Sequence, residues 1–170
     1  MSSPLITRVG IQVDNVLTRL DEKIAKWQDR LNADPKLMSE SWWASLEAHP
    51  LEAFRTTLER LKSDPIIPTE PVWLSDRPKE LQHITSSWLK RNDLDGELII
   101  NSIYRYDCRI RGIKYFIGTY SDWMPWYRYD NITAICLDRA GENKWIAEGD
   151  YFMKNDLTEA LLLTWGEFLI

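Results

Sequence analysis

The sequence predicts an α+β fold: an N-terminal helical unit, then an antiparallel sheet of about four or five strands, with helices packed on one face. Three observations carry this reading. Apolar residues in the first third of the chain recur three and four positions apart, the helical period. From Glu97 to Ile117 they alternate with polar residues, as in a half-buried antiparallel strand. The order helices, strands, helix suits segregated layers better than repeated βαβ units.

The first element reads as a helix from about Leu5 to Leu31. Val13, Leu17, Leu20, Ile24, Trp27 and Leu31 stand 4, 3, 4, 3 and 4 residues apart. That spacing keeps one seam facing a partner helix. The seam packs on its own domain or, alternatively, forms a homodimer through the first helix. Asp34 and Pro35 have the chemistry of a cap and a first turn, for a second helix running to about Ala48. Adjacent Trp42 and Trp43 would then span a wide face, one ring in the core and the other over an edge. Leu51, Phe54, Leu58 and Leu61 make an amphipathic stripe on a third helix behind Pro50.

Pro65, Pro68 and Pro71 favour extended chain, read as an arm pinned by Ile66, Ile67 and Val72. A fourth helix spans about Arg77 to Arg91, capped by Ser75 or Asp76, and Asn92 to Gly96 form a turn. The sheet opens at Glu97. On an extended chain Leu98, Ile100, Ser102, Tyr104, Tyr106, Cys108 and Ile110 share one face, and Arg105, Asp107, Arg109 and Arg111 the other. Arg111-Gly112 turns the chain into a second strand at Ile113 to Ile117, making a hairpin. A second hairpin is expected from Ile132–Leu137 and residues 144–147, and a short last strand at Tyr151–Met153. Asp156 opens a closing helix with little polar surface.

A chain of 170 residues suits one domain, 1–170. Within it the reading separates a helical unit (1–62), a Pro-rich connector (63–72), and a part with a helix, the sheet and the C-terminal helix (73–170). The net charge of −5 gives no general attraction to nucleic acid or anionic membranes. No secretory leader is legible, and no apolar stretch approaches the roughly 20 residues of a membrane span. Cys108 and Cys136 read as buried free thiols. The expected location is the cytoplasm.

Specific catalytic signatures are missing: there is no Walker loop, GxGxxG, HExxH or GxSxG. His49 and His83 read as structural, and neither a cofactor nor a metal is expected. A carboxylate-only metal site would draw on Asp122, Asp130, Asp138, Glu148 and Asp150, whose spacing is not diagnostic.

The most unusual segment is Tyr120 to Tyr129, in which six of ten residues are aromatic or Met. Such a connection either folds back as a lid on the sheet or is exposed for recognition. In the second case Trp123, Trp126 and Tyr127 are rigid anchors with Arg128 beside them, the types enriched at binding hot spots. Arg105, Arg109 and Arg111 offer another surface, able to stack bases or nucleotides; the plainer reading is a solvated sheet face with cross-strand ion pairs.

Taken together, these features point away from an enzyme. They suggest a non-enzymatic protein–protein interaction module, an adaptor, regulator, inhibitor or immunity-type partner, gripping a protein through the aromatic loop. The alternatives are a small-ligand or single-stranded nucleic-acid binder, and a metal-dependent hydrolase or nuclease.

Overall fold

Four short runs are apolar at successive positions: Val9 to Ile11, Val72 to Leu74, Tyr115 to Ile117 and Ala134 to Leu137. Apolar side chains on both faces mark strands covered on both sides, which in practice means a parallel sheet between helical layers. The computed structural model, which describes residues 5–31, 38–119, 121–139 and 152–166, has that architecture.

The strands are β1 (Thr7–Gln12), β2 (Thr69–Leu74), β3 (Glu97–Ile99), β4 (Tyr115–Gly118), β5 (Thr133–Leu137) and β6 (Phe152–Lys154). They form one six-stranded sheet in the order β3-β2-β1-β4-β5-β6. Every pairing is parallel. The expected antiparallel sheet and its hairpins are therefore corrected: the fold is α/β, with connections that cross over between parallel strands. The return strand expected at 144–147 lies outside the described residues.

The helices are α1 (Leu20–Leu31), α2 (Glu40–Ala44), α3 (Glu52–Lys62), α4 (Gln82–Arg91), α5 (Tyr104–Ile110) and α6 (Leu157–Gly166). A 3₁₀ segment, Ser121–Asp130, links β4 to β5. One sheet face packs Val9, Ile11, Trp73, Tyr115, Ile117, Ile135 and Leu137 against α3, α4 and α6. The other packs Val72, Leu74, Phe116, Ala134 and Cys136 under Cys108 of α5 and Met124 and Tyr127 of the 3₁₀ segment. A satellite cluster of Leu20, Trp42, Trp43, Leu46 and Leu81 joins α1, α2 and α4.

Several elements differ from the sequence reading for identifiable reasons. The single helix expected over Leu5 to Leu31 divides into β1, a loop and α1. Val13 and Leu17 are buried in that loop, and the Leu17 N–H donates to the Val13 carbonyl. One real helical turn thus extends the spacing of α1 backwards across a strand end. The expected seam is not a single exposed face, because Val13 and Leu17 lie in the core of their own chain; the side chains of Trp27 and Leu31 are outside the described residues.

The cap expected at Asp34-Pro35 also lies outside the described residues. α2 is capped instead by Ser39, whose hydroxyl accepts from the Trp42 N–H. Both tryptophans are buried, edge to face at 5.1 Å. Only the end of the Pro-rich arm enters β2: Val72 is buried there, while Ile66 is exposed and pins nothing. At Pro71 this strand has β1 alone as partner, since β3 begins opposite Val72; a residue without an N–H is tolerated on such an edge.

The expected strand through Tyr104 to Arg111 is α5. Its start is held by Asp107, whose carboxylate accepts from the Ile103 N–H (3.0 Å) and the Ser102 hydroxyl (2.7 Å). Among the described residues no helix is long and apolar enough to cross a membrane.

Candidate functional site at the carboxyl edge of the sheet

In an open parallel sheet, ligands bind outside the carboxyl ends of the strands, where the strand order reverses. Here the chain moves outward from β1 to β2 and β3, then returns to the other side of β1 as β4. The reversal lies between β1 and β4, at Gln12 and Gly118-Thr119.

Gln12 spans that point. Its Nε2 donates to the Asp14 carbonyl (2.6 Å) and to Thr119 Oγ1 (2.9 Å), and its Oε1 accepts from the Thr119 N–H (3.2 Å). The amide is fully buried. Thr119 is only partly buried. With its oxygen taken by Gln12, the Thr119 hydroxyl has its proton to offer to another acceptor. Gly118 is required by close approach: a Cβ there would lie 2.6 Å from Phe116 Cε1 and 2.9 Å from Gln12 Oε1.

On the β2 side the loops are locked. Arg77 donates to both carboxylate oxygens of Asp14, from Nη2 at 2.7 Å and from Nε at 2.9 Å. Its Nη1 donates to Thr85 Oγ1, and its guanidinium stacks on Trp43 at 4.7 Å. The Thr18 hydroxyl also donates to Asp14. Such a bidentate, fully buried pair is among the strongest hydrogen-bonding arrangements in a protein. It leaves Asp14 poorly placed to attack a substrate.

On the β5 side two guanidiniums, Arg139 and Arg19, lie within reach of the carboxylates of Asp156 and Glu22. Arg139, two residues beyond β5, is exposed and donates to the Asn15 carbonyl (2.9 Å) and the Val16 carbonyl (2.8 Å) in the loop after β1. Arg19 stands close by, its Nη1 3.7 Å from Glu22. The His49 N–H donates to the Leu17 carbonyl. Burial first, and then the positive fields of Arg139 and Arg19, push the His49 imidazole down to about 4. It is neutral at physiological pH, and the group beside it is cationic.

The residues singled out from sequence divide differently. Arg105 ion-pairs with Asp130 at the end of the 3₁₀ segment. Arg109 stacks on Tyr106, and Arg111 reaches back to Glu97 on β3. These arginines belong to a helix and its end, and their partners scatter them; they form no common strand face. In the 3₁₀ segment Met124 and Tyr127 are buried, Trp126 is half exposed, and Arg128 lies over the Tyr129 ring at 5.0 Å. The Trp123 side chain lies outside the described residues. The described residues thus divide between the two readings, Met124 and Tyr127 folding onto the sheet while Trp126 and Tyr129 stay exposed, and the segment brings Trp126 and Tyr127 together with Arg105 around a pocket of about 280 Å³.

Of the carboxylates considered for a metal, Asp130 is paired with Arg105 and Asp138 is buried. The Asp122 side chain, Glu148 and Asp150 lie outside the described residues. Among the described residues no cluster of three or more His, Cys, Asp or Glu side chains is suited to a metal ion. Gln12, Asp14, Arg77, Thr119 and Arg139 went unnoticed in the sequence. The one local signal was a polar residue ending each apolar run, which marks a site only once the runs are known to be parallel strands.

The fold is the one seen in solved haloacid dehalogenases. A structure described as a dehalogenase superposes with a TM-score of 0.64 at 16% identity, covering 96% of this chain and 98% of that one. The L-2-haloacid dehalogenase of Xanthobacter autotrophicus, with chloropropionic acid covalently bound, gives 0.59 at 12% identity, covering 95% and 99%. A HAD family hydrolase of Deinococcus radiodurans, with bound phosphate and sodium, gives 0.57 at 14% identity, covering 98% and 97%. No protein-family model matches the sequence, and no curated protein does.

At these identities the likeness concerns the fold. It overturns the expectation of a non-enzymatic interaction module with a protein partner. The whole chain has the architecture of solved structures described as dehalogenases and a HAD family hydrolase, and Met124 and Tyr127 of the aromatic segment expected to grip a partner pack onto its own sheet.

Proposed function

We propose that the chain binds a small anionic organic molecule at the carboxyl edge of the sheet, between the loop after β1, the end of β4 and Arg139. The observation that carries this is the Arg139 clamp: an exposed guanidinium fixed over the β1 loop, next to Arg19 and a neutral His49, at the point where open α/β sheets bind ligands. A guanidinium held in place by main-chain carbonyls is pre-organised for a carboxylate or phosphate. Thr119 supplies a hydroxyl donor across the crevice. The solved neighbours support the class of ligand, since one holds chloropropionic acid and another phosphate.

A hydrolase acting on that molecule is the second reading, favoured by the shared architecture. Covalent attack by Asp14 is disfavoured by its engagement with Arg77 and Thr18. The cytoplasmic location expected from the sequence is kept, on the support of two buried free thiols, Cys108 and Cys136.

The deciding experiment is a thermal-shift screen of small carboxylates and phosphate esters, with turnover of every hit measured in parallel. An anionic hit present at 100 times its Kd should add about 2.7 kcal/mol of stability, and Arg139→Gln should abolish the shift while still melting cooperatively. Stabilisation by neutral compounds alone, or an equal shift in Arg139→Gln, overturns the proposal. Turnover of a hit promotes the second reading.

A further inference from the structure

The geometry points to a separate binding site for a small, uncharged, planar aromatic molecule between α5 and the 3₁₀ segment. The pocket of about 280 Å³ is lined by Ile103, Tyr104, Phe116, Met124, Trp126 and Tyr127, with Arg105 at its side. Its floor is rigid. Phe116 and Tyr127 are stacked at 4.9 Å with an 8° interplanar angle, and Tyr104 leans on Phe116 at 5.4 Å. Phe116, Met124 and Tyr127 are each at most 4% exposed.

Its rim is open. Ile103 is 71% and Trp126 49% exposed, and Trp126 is steadied by the Tyr129 ring at 5.9 Å. A floor and one wall of fixed rings give a flat guest a stacking partner, which a flexible aliphatic chain uses less well. The size also fits: an apolar cavity of about 150 Å³ accommodates benzene, so this one suits one or two fused rings.

Charge selects further. The one ionic group on the lining, Arg105, is already paired with Asp130. Burial keeps the Tyr127 phenol in its neutral form. A charged guest would lose its hydration and gain no free counter-charge in return. This site is distinct from the carboxyl-edge crevice, whose ligand is anionic, although a side chain at Gly118 would meet both Gln12 and the Phe116 ring.

Isothermal titration with a matched pair of probes, naphthol and naphthoate, tests the assignment on the full chain. Naphthol should bind saturably at one site, and naphthoate at least about tenfold more weakly. Trp126→Ala should weaken naphthol roughly fivefold by removing the stacking wall, with the melting temperature little changed because the ring is half exposed. Should that variant fail to fold, Ile103→Ser alters the rim at the start of α5 and should weaken naphthol likewise. Arg139→Gln should leave naphthol binding unchanged.

Three results overturn the assignment: no saturable naphthol binding, naphthoate binding as tightly as naphthol, or unchanged affinity in a folded rim variant. Loss of naphthol binding in Arg139→Gln overturns the independence of the two sites. Loss of anion binding in that variant bears on the carboxyl-edge proposal alone.

Discussion

The two faces of the sheet are built differently. One is sealed by regular helices, α3, α4 and α6, whose Phe54, Leu58, Trp88, Leu89, Ala160 and Leu161 interlock with Ile11, Trp73, Ile117 and Ile135. The other is covered by the seven-residue α5 and a 3₁₀ segment interrupted by Pro125. Such short or irregular elements cannot offer a continuous ridge to the sheet, so packing there relies on large rings, and a pocket remains among them. The larger buried cluster lies on the first face, and the apolar pocket on the second.

The largest effect is expected at the edge both faces share. Asp14→Ala leaves Arg77 buried with no carboxylate partner and should cost about 3–5 kcal/mol, read from the urea midpoint. A cost below 1 kcal/mol would mean that water reaches Arg77 and that the two loops are less closed than described.

Next comes the contrast itself. Leu161→Ala on the sealed face should cost about 2–5 kcal/mol, while Met124→Ala, beside a pocket into which neighbours can relax, should fall at or below the bottom of that range. Equal losses would erase the distinction between the faces. Gly118→Ala should cost about 1–3 kcal/mol through overpacking against Phe116 and Gln12. It should also lower naphthol affinity, and a neutral outcome would show that the Phe116 ring is free to move.

The smallest effect is one of pH. His49 titrates near 4 in the folded chain against 6.5 ordinarily. Between those values the unfolded chain binds more protons, so this residue's contribution falls as pH drops from 6.5 towards 4 and is constant above. Comparing urea midpoints at pH 7 and pH 5, His49→Gln should lose less stability than the parent. An identical loss would assign acid sensitivity to other groups.

The sealed face was largely legible in the sequence. The stripe Phe54, Leu58, Leu61 and the apolar run from Leu157 are long enough for their period to be unambiguous, and both became helices on that face. The open face was not. Tyr104, Cys108 and Arg111 satisfy a helical period while Tyr104, Tyr106, Cys108 and Ile110 satisfy a strand period, and seven residues cannot decide between them. The helix wins because Asp107 caps its own start and Cys108 packs above Gly10.

Strand direction was equally hidden. Val72-Trp73-Leu74 reads the same in either sense, and only the crossover through α1 to α3 makes β1 and β2 parallel. The carboxyl-edge site depends on that direction, so its residues stayed invisible. Trp126, Tyr127 and Arg105 were singled out by composition, and they do meet, around a pocket with Tyr127 buried in its floor and Trp126 half exposed at its rim.

The Arg139 clamp bears on the order in which the molecule assembles. Its two hydrogen bonds join positions 124 and 123 residues apart along the chain. Contacts of such separation carry a high loop-closure cost and tend to form after local ones. A chain emerging from the ribosome can complete β1, the intervening helices and β2 well before residue 139 exists. The crevice would therefore mature after the β1–β2 half of the sheet, and a ligand held there would report that the β5 side has joined it.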